Sequence, residues 1–281
     1  MPTNNLSTVP DEVFELTNLN RLDLSQNFIQ TVRDLAQAEN LEYLDLSRNN
    51  ISDINSVTLP NSLKTLVLTN NRLTLQGIKT FNLNKLKELN LSYNMLSGTL
   101  NQESFLNSKV FLKLNTLDLS FNKLESLGFQ PLAKFPKLKI LKLKSNTLQI
   151  LNPMAFQGLT RLKSLDLSSN AILDLPNSVF KNLSTLESLD LSQNHLQSIS
   201  GSFTDGLSKL STLDLGNNDI IFLEPLQDVS EHLTYLSLKS NPLDCVCTLK
   251  PFQVCFHTLG FFLKGAYHKH ILTPSPFMET Y

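Results

Sequence analysis

The residues with the most reactive side chains lie together near the end of the chain. Cys245, Cys247 and Cys255, with His257, spell Cys-x-Cys…Cys-x-His, and His268-Lys269-His270 follows. Thiolate and imidazole are zinc ligands, but structural zinc sites place about two to four residues between paired ligands. The single residue between Cys245 and Cys247 is tight for that geometry, and the two later histidines read as a solvated tail. With three cysteines in all, one thiol stays unpaired. Catalytic patterns do not assemble elsewhere. There is no Gly-x-Ser-x-Gly elbow, no phosphate-cradling glycine loop and no Cys/His nucleophile setting, and the 9 glycines are scattered. The expectation is a non-enzyme with no catalytic residue, metal or cofactor. Four Asn-x-Ser sequons, at Asn5, Asn50, Asn90 and Asn182, are candidate glycan sites in a secreted protein.

What positions these groups is set by the rest of the chain. Apolar residues make up 41% and charged residues 17%, which marks a folding sequence and not a disordered one. A formal net charge of −1 gives no basic footprint for nucleic acid or an acidic membrane surface. No stretch approaches the ~18 apolar residues of a membrane span, so any membrane attachment would need a segment outside this chain. The start, Met1-Pro2-Thr3-Asn4-Asn5, has neither the basic run nor the apolar run of a signal peptide.

One pattern dominates: apolar-x-x-apolar-x-apolar-x-x-Asn-x-apolar. It reads Leu19, Leu22, Leu24, Asn27, Ile29, then Leu41, Leu44, Leu46, Asn49, Ile51. It continues through Asn71, Asn94, Asn122, Asn146, Asn170, Asn194, Asn218 and Asn241, each preceded by three leucines in register. Successive asparagines lie 22, 22, 23, 28, 24, 24, 24, 24 and 23 residues apart, so the period is that of a solenoid.

Each feature has a physical cause. Two leucines spaced by two point to one side of a short strand, because side chains alternate along an extended chain. One such strand cannot bury that edge alone, whereas copies stacked at ~4.8 Å make a parallel sheet over a leucine core. The asparagine falls where the chain leaves the strand. Its amide can both donate to and accept from backbone groups that no sheet ladder satisfies. A second signal, Phe14-x-Leu16, Phe81-x-Leu83, Phe156-x-x-Leu159 and Phe180-x-x-Leu183, predicts aromatic packing on the far, wider side.

The form Leu-x-x-Leu-x-Leu-x-x-Asn-x-Leu-x-x-Leu-Pro-x-x-x-Phe-x-x-Leu, seen from Ile172 to Leu183 with Pro176 and Phe180, resembles the typical extracellular leucine-rich repeat. The first repeats are short enough to resemble the 22-residue intracellular subclass as well. Asn241-Pro242-Leu243-Asp244-Cys245-Val246-Cys247 resembles the opening of the cysteine-rich cap on secreted members, which makes the three cysteines disulfide candidates. Mixed repeat lengths and recurrent Leu-Asp-Leu-Ser strands look most like a Toll-like receptor ectodomain. The resemblance implies an α/β repeat solenoid, a horseshoe with a parallel concave sheet of about ten strands and short helical segments outside. It divides the chain into a solenoid over 1–243 and a partial cap and tail over 244–281. The chain opens in the second half of a repeat, and no later cysteine answers the Cys-x-Cys pair, so both ends read as cut from a larger receptor-like protein.

Binding would fall on the concave face. Between the buried leucines most repeats place Asp, which reads as charge presented to water. The departures are Thr65, Val67 and Thr69 in repeat three, Glu88 and Asn90 in repeat four, and Ile140, Lys142 and Lys144 in repeat six. The longest repeat also inserts Ser97 to Phe111, and extra loop residues in solenoids often border a binding face. The expected ligand is a protein or other macromolecule on the concave or lateral face, with homo- or heterodimerisation open. What the resemblance implies is an innate immune receptor ectodomain, outside the cell. A matrix or adhesion module and an intracellular scaffold are the alternatives.

Overall fold

The computed structural model describes residues 4–55, 57–78, 85–105, 111–224, 226, 229 and 232–243. The three cysteines, His257, His268, His270, Phe81 and Leu83 lie outside the described residues, as does the 244–281 division.

Ten three-residue strands carry the sheet. They are β1 (Arg21–Asp23), β2 (Tyr43–Asp45), β3 (Thr65–Val67), β4 (Glu88–Asn90) and β5 (Thr116–Asp118), then β6 (Ile140–Lys142), β7 (Ser164–Asp166), β8 (Ser188–Asp190), β9 (Thr212–Asp214) and β10 (Tyr235–Ser237). They form one sheet in chain order, and every neighbouring pair is parallel. The central leucines lie opposite one another from Leu22 to Leu236, so the repeats stack without register slip.

The strand leucines project inward as the alternation requires, and from Leu44 to Leu213 the central one is buried in every strand. Opposite them the outer layer is aromatic. Phe156 and Phe180 are both fully buried, with ring centroids 5.5 Å apart, and Phe203 continues the row at 6.4 Å. Phe105, Phe111 and Phe135 make a second cluster at 4.8–5.1 Å. Helical structure among the described residues consists of four 3-10 segments on the outer side: Asp11–Glu15, Gln76–Ile78, Gln102–Phe105 and Gly201–Thr204. Gly206 shows how close the coils pack there. Its φ is +80°, and a Cβ would stand 2.5 Å from the Lys181 carbonyl oxygen.

The described residues of the repeat-four insertion lie outside the ten-stranded sheet. Its residues Ser97–Leu100 pair with Lys123–Leu127, and these with Ile150–Leu151, in a separate three-stranded sheet. Leu100, Phe105 and Phe111 are buried. The described part of the insertion therefore thickens the outer layer, because its apolar residues gain more from burial there than on the wet sheet face.

Candidate functional site

The site is built on the turn that ends each strand. The residue before each repeat asparagine adopts a left-handed backbone, with φ between 53° and 56° at all ten positions from Gln26 to Ser240 except Ser145, at 52°. That twist turns the asparagine inward. The Asn170 amide nitrogen donates to the carbonyls of Leu143 (3.0 Å), Leu167 (2.9 Å) and Ser168 (3.1 Å), while its oxygen accepts from the Leu148 N–H at 3.1 Å. The same set recurs at Asn49, Asn71, Asn94, Asn122, Asn146, Asn194, Asn218 and Asn241, while Asn27 donates only within its own repeat, to Leu24 and Ser25, and accepts from the Leu6 N–H. Each amide bridges backbone of adjacent repeats and does not touch the next asparagine.

The concave aspartates have a structural task beyond presenting charge. In seven strands the side-chain oxygen after the central leucine accepts the N–H two residues on, at 2.8–3.0 Å: Asp23, Asp45, Asn90, Asp118, Asp166, Asp190 and Asp214. This is an Asx turn that closes the strand end. At Asp23, hydrogen bonds from the Ser25 hydroxyl and then from its N–H hold the carboxyl below the usual carboxylate value. Repeats three, six and ten lack this closure, with Val67, Lys142 and Ser237 at the position, and the first two fall in the stretch of expected binding residues. Among the described residues nothing accepts from the N–H of Thr69 or Lys144.

The structure brings the expected binding residues into two rows. Thr65, Glu88, Thr116 and Ile140 follow one another across β3 to β6, and Val67, Asn90, Asp118 and Lys142 form the adjacent row. The rows span three strand spacings, about 14 Å. Lys142 Nζ reaches Asp118 Oδ2 at 3.7 Å. The Thr69 hydroxyl donates to Ser92 O at 2.9 Å and meets Ser92 Oγ at 2.6 Å, and the Ser92 hydroxyl donates to Asn90 Oδ1 at 2.7 Å. Lys144 lies beyond the β6 end, half-buried. Asn90 thus carries two expectations that exclude each other, since a glycan on it would cover Val67 and Asp118. Of the other sequon asparagines, Asn5 and Asn182 are exposed and Asn50 is half-buried.

Two features escaped the sequence reading. Tyr93 and Phe121 occupy the left-handed position in consecutive repeats and stack, exposed, with ring centroids 4.1 Å apart and planes 7° apart. An aromatic before the repeat asparagine in two successive repeats was the available signal. In repeats one and two, Arg21 lies 3.7 Å over the Tyr43 ring, whose hydroxyl donates to Asp45 at 3.3 Å. Desolvation, reinforced by the Asp45 charge, raises the Tyr43 phenol above its ordinary value.

The leucine-rich repeat profile matches residues 2–51, 113–172 and 160–220, and a second profile of that name matches 85–106. This chain belongs to the leucine-rich repeat family. Among curated proteins no sequence matches it. Among solved structures it resembles Toll in the Drosophila Toll–Spatzle complex, with a TM-score of 0.70 and 23% identity over 92% of this chain and 34% of that one. It resembles a chain of the octameric complex of Latrophilin 3, Unc5D and FLRT2, in which FLRT2 contributes its leucine-rich repeats. There the TM-score is 0.68 with 26% identity, over 85% of this leucine-rich repeat chain and 73% of that one. TLR13 in its complex with ssRNA13 gives a TM-score of 0.57 and 21% identity, over 91% and 57%. The chain thus spans little more than half of the TLR13 chain and a third of Toll. These neighbours share its leucine-rich repeat fold, and the family relation supports a non-catalytic ligand-binding module.

Proposed function

We propose that this chain is the recognition surface of a secreted or membrane-displayed receptor of Toll-like kind, holding a macromolecular ligand on the concave face of repeats three to six. The observation that carries the reading is the paired loss of the strand-end acceptor at Val67 and Lys142. It leaves two N–H donors and a lysine on the concave face of this stretch, donors that can exchange water for the acceptors of a ligand settling there. The complexes of two neighbours, Toll with Spatzle and TLR13 with ssRNA13, support a binding role for a solenoid of this kind.

The test uses the chain secreted behind a signal peptide and probed against an array of purified secreted proteins. A ligand of this surface should lose about tenfold or more in affinity to Val67→Asp/Lys142→Asn, which refills both acceptors, and little to Asp214→Asn, which keeps its closure and makes no sequon. Binders indifferent to the first variant would overturn the concave reading. In the secreted product, glycan mass at one or more sequons and a cysteine protected from alkylation until reduction would support the extracellular compartment. Three freely labelling thiols and empty sequons would favour an intracellular scaffold. An adhesion module is the second reading, favoured by the FLRT2 complex, of which the matching chain is covered over 73%. A membrane span followed by a signalling domain in the full transcript would decide for the receptor. Among the described residues no helix is long and apolar enough to cross a membrane.

A further inference from the structure

The edge of the sheet where the strands begin is electrically unlike the rest of the molecule. Backbone hydrogen bonds join its residues rung by rung. The Lys87 N–H donates to Lys64 O at 2.7 Å, Asn115 to Lys87 O, Lys139 to Asn115 O and Lys163 to Lys139 O, each at 2.8 Å. Four of these five consecutive rungs carry lysine, at the strand spacing of about 4.8 Å. Two residues earlier in each repeat stand Lys85, Lys113, Lys137 and Arg161, a second row parallel to the first. The leucine between each pair of row positions (Leu86, Leu114, Leu138, Leu162) is buried, so the flanking cations face outward together.

Carboxylates answer this edge only at its two ends. Lys64 pairs with Glu42, and Lys163 with Glu187 at 2.6 Å. Among the described residues none of Lys85, Lys87, Lys113, Lys137, Lys139 and Arg161 forms an ion pair, and all are exposed. From Ser126 to Leu165 the sequence holds no Asp or Glu at all, against five Lys from Lys134 to Lys144 and then Arg161 and Lys163. In a chain of net charge −1 this is segregation, and it places like charges about one strand spacing apart, where each disfavours the next unless an anion lies between them.

We infer that this edge is a binding site for a linear sulfated polysaccharide, laid along the two rows from repeat three to repeat seven, about 20 Å. A regular polyanion matches a regular row of point charges. Single-stranded nucleic acid fits less well. Its binding sites combine basic grooves with aromatic platforms for the bases, and neither row holds an aromatic residue. The exposed Tyr93–Phe121 pair lies at the opposite ends of the strands. The site is separate from the concave rows proposed above, and either can fail without the other.

The experiment is titration of the secreted chain with a size-defined heparin oligosaccharide spanning at least about 20 Å, at ~0.15 M salt and at higher salt. Binding that weakens steeply with salt is expected. Lys137→Glu/Arg161→Glu should lower affinity about tenfold or more. Lys123→Glu/Lys181→Glu, an identical charge change away from the edge, should change it less than about twofold. All four positions are exposed, and circular dichroism melts confirm folding. Should the first variant melt early, Lys113→Gln/Lys137→Gln gives the same readout. No binding at ~0.15 M salt, or equal loss in both charge-reversal variants, overturns the site. An RNA oligonucleotide binding as tightly as heparin overturns the polysaccharide and assigns the edge to nucleic acid.

Discussion

Repeats seven to nine and repeats three to six share one interior and part company at the strand ends, most sharply in repeats three and six. The first group has 24-residue spacing and strands that read Ser-Leu-Asp, Ser-Leu-Asp and Thr-Leu-Asp, each closed by its own carboxylate. The second has uneven spacing and strands Thr-Leu-Val, Glu-Leu-Asn, Thr-Leu-Asp and Ile-Leu-Lys. Yet the buried leucines and the bridging asparagines are the same in both. The interior is constrained because a solenoid coil has no other way to bury its apolar edge or satisfy its turn backbone. The strand-end residue faces water, so its replacement carries information that an interior replacement would not.

If the two groups share a core in energetic terms, removing a central leucine should cost the same in each. Leu141→Ala and Leu189→Ala, both at fully buried positions, should each destabilise by about 2–5 kcal/mol in urea or guanidinium titrations. A Leu141 cost less than half that of Leu189 would mean repeat six is already loosely packed, and its exposed donors would then reflect disorder of packing and not a prepared surface.

The next effect should be nearly as large. Asn94→Ala and Asn170→Ala each strand buried carbonyls of two repeats and one buried N–H, so each should cost about 1–3 kcal/mol. Ser169→Ala, on a half-buried side chain bonded only to Gln193, should stay within about 0.5 kcal/mol. Coincident unfolding midpoints for the Asn170 and Ser169 variants would remove the asparagines from the account of stability.

The interior of this comparison was legible in the sequence and the surface only partly. Leucine and asparagine spacing set strand number, direction and order because each position has one physical solution. The aspartates were harder. Their sequence position says that they face water, but the bond from Asp190 to the Ser192 N–H depends on the left-handed turn that follows, with Gln193 at φ 56°. Nothing in the residue types announces that turn, since glycine, its usual marker, is absent from all ten positions. The basic edge was hidden for another reason: net charge averages over the molecule, and only the stacking places Lys87 beside Lys64.

Exchanging the strand-end residue between the groups sharpens the contrast at about 0.5–1.5 kcal/mol. Asp190→Val should destabilise by that order, and Lys142→Asn should stabilise by it. Asn90 already closes its strand with a neutral amide, so asparagine suffices at 142. At 67 the exchange is Val67→Asp, since asparagine there would create a new sequon with Thr69. Thermal melts that leave Val67→Asp and Lys142→Asn no more stable than the parent would show that water already serves the Thr69 and Lys144 N–H groups.

The smallest effect concerns the charge on those closures. The Asp23 carboxyl has its folded pKa lowered by hydrogen bonds from Ser25, so between the folded and unfolded values the unfolded chain binds more protons. Stability from this group is therefore complete above the unfolded value near 4 and is lost as pH falls through the folded one. Asp23→Asn, made in a host without N-glycosylation because it creates a sequon with Ser25, keeps an acceptor for the Ser25 N–H, as Asn90 does for Ser92, but removes the titration. Urea midpoints of parent and variant measured from pH ~6 down to pH ~2 should converge as the carboxyl is protonated. Asp23 is largely exposed, so solvent screening limits the difference to a few tenths of a kcal/mol. A gap that widens toward low pH would have the wrong sign for a carboxylate held by donors, and the Asp23 closure would then rest on geometry alone.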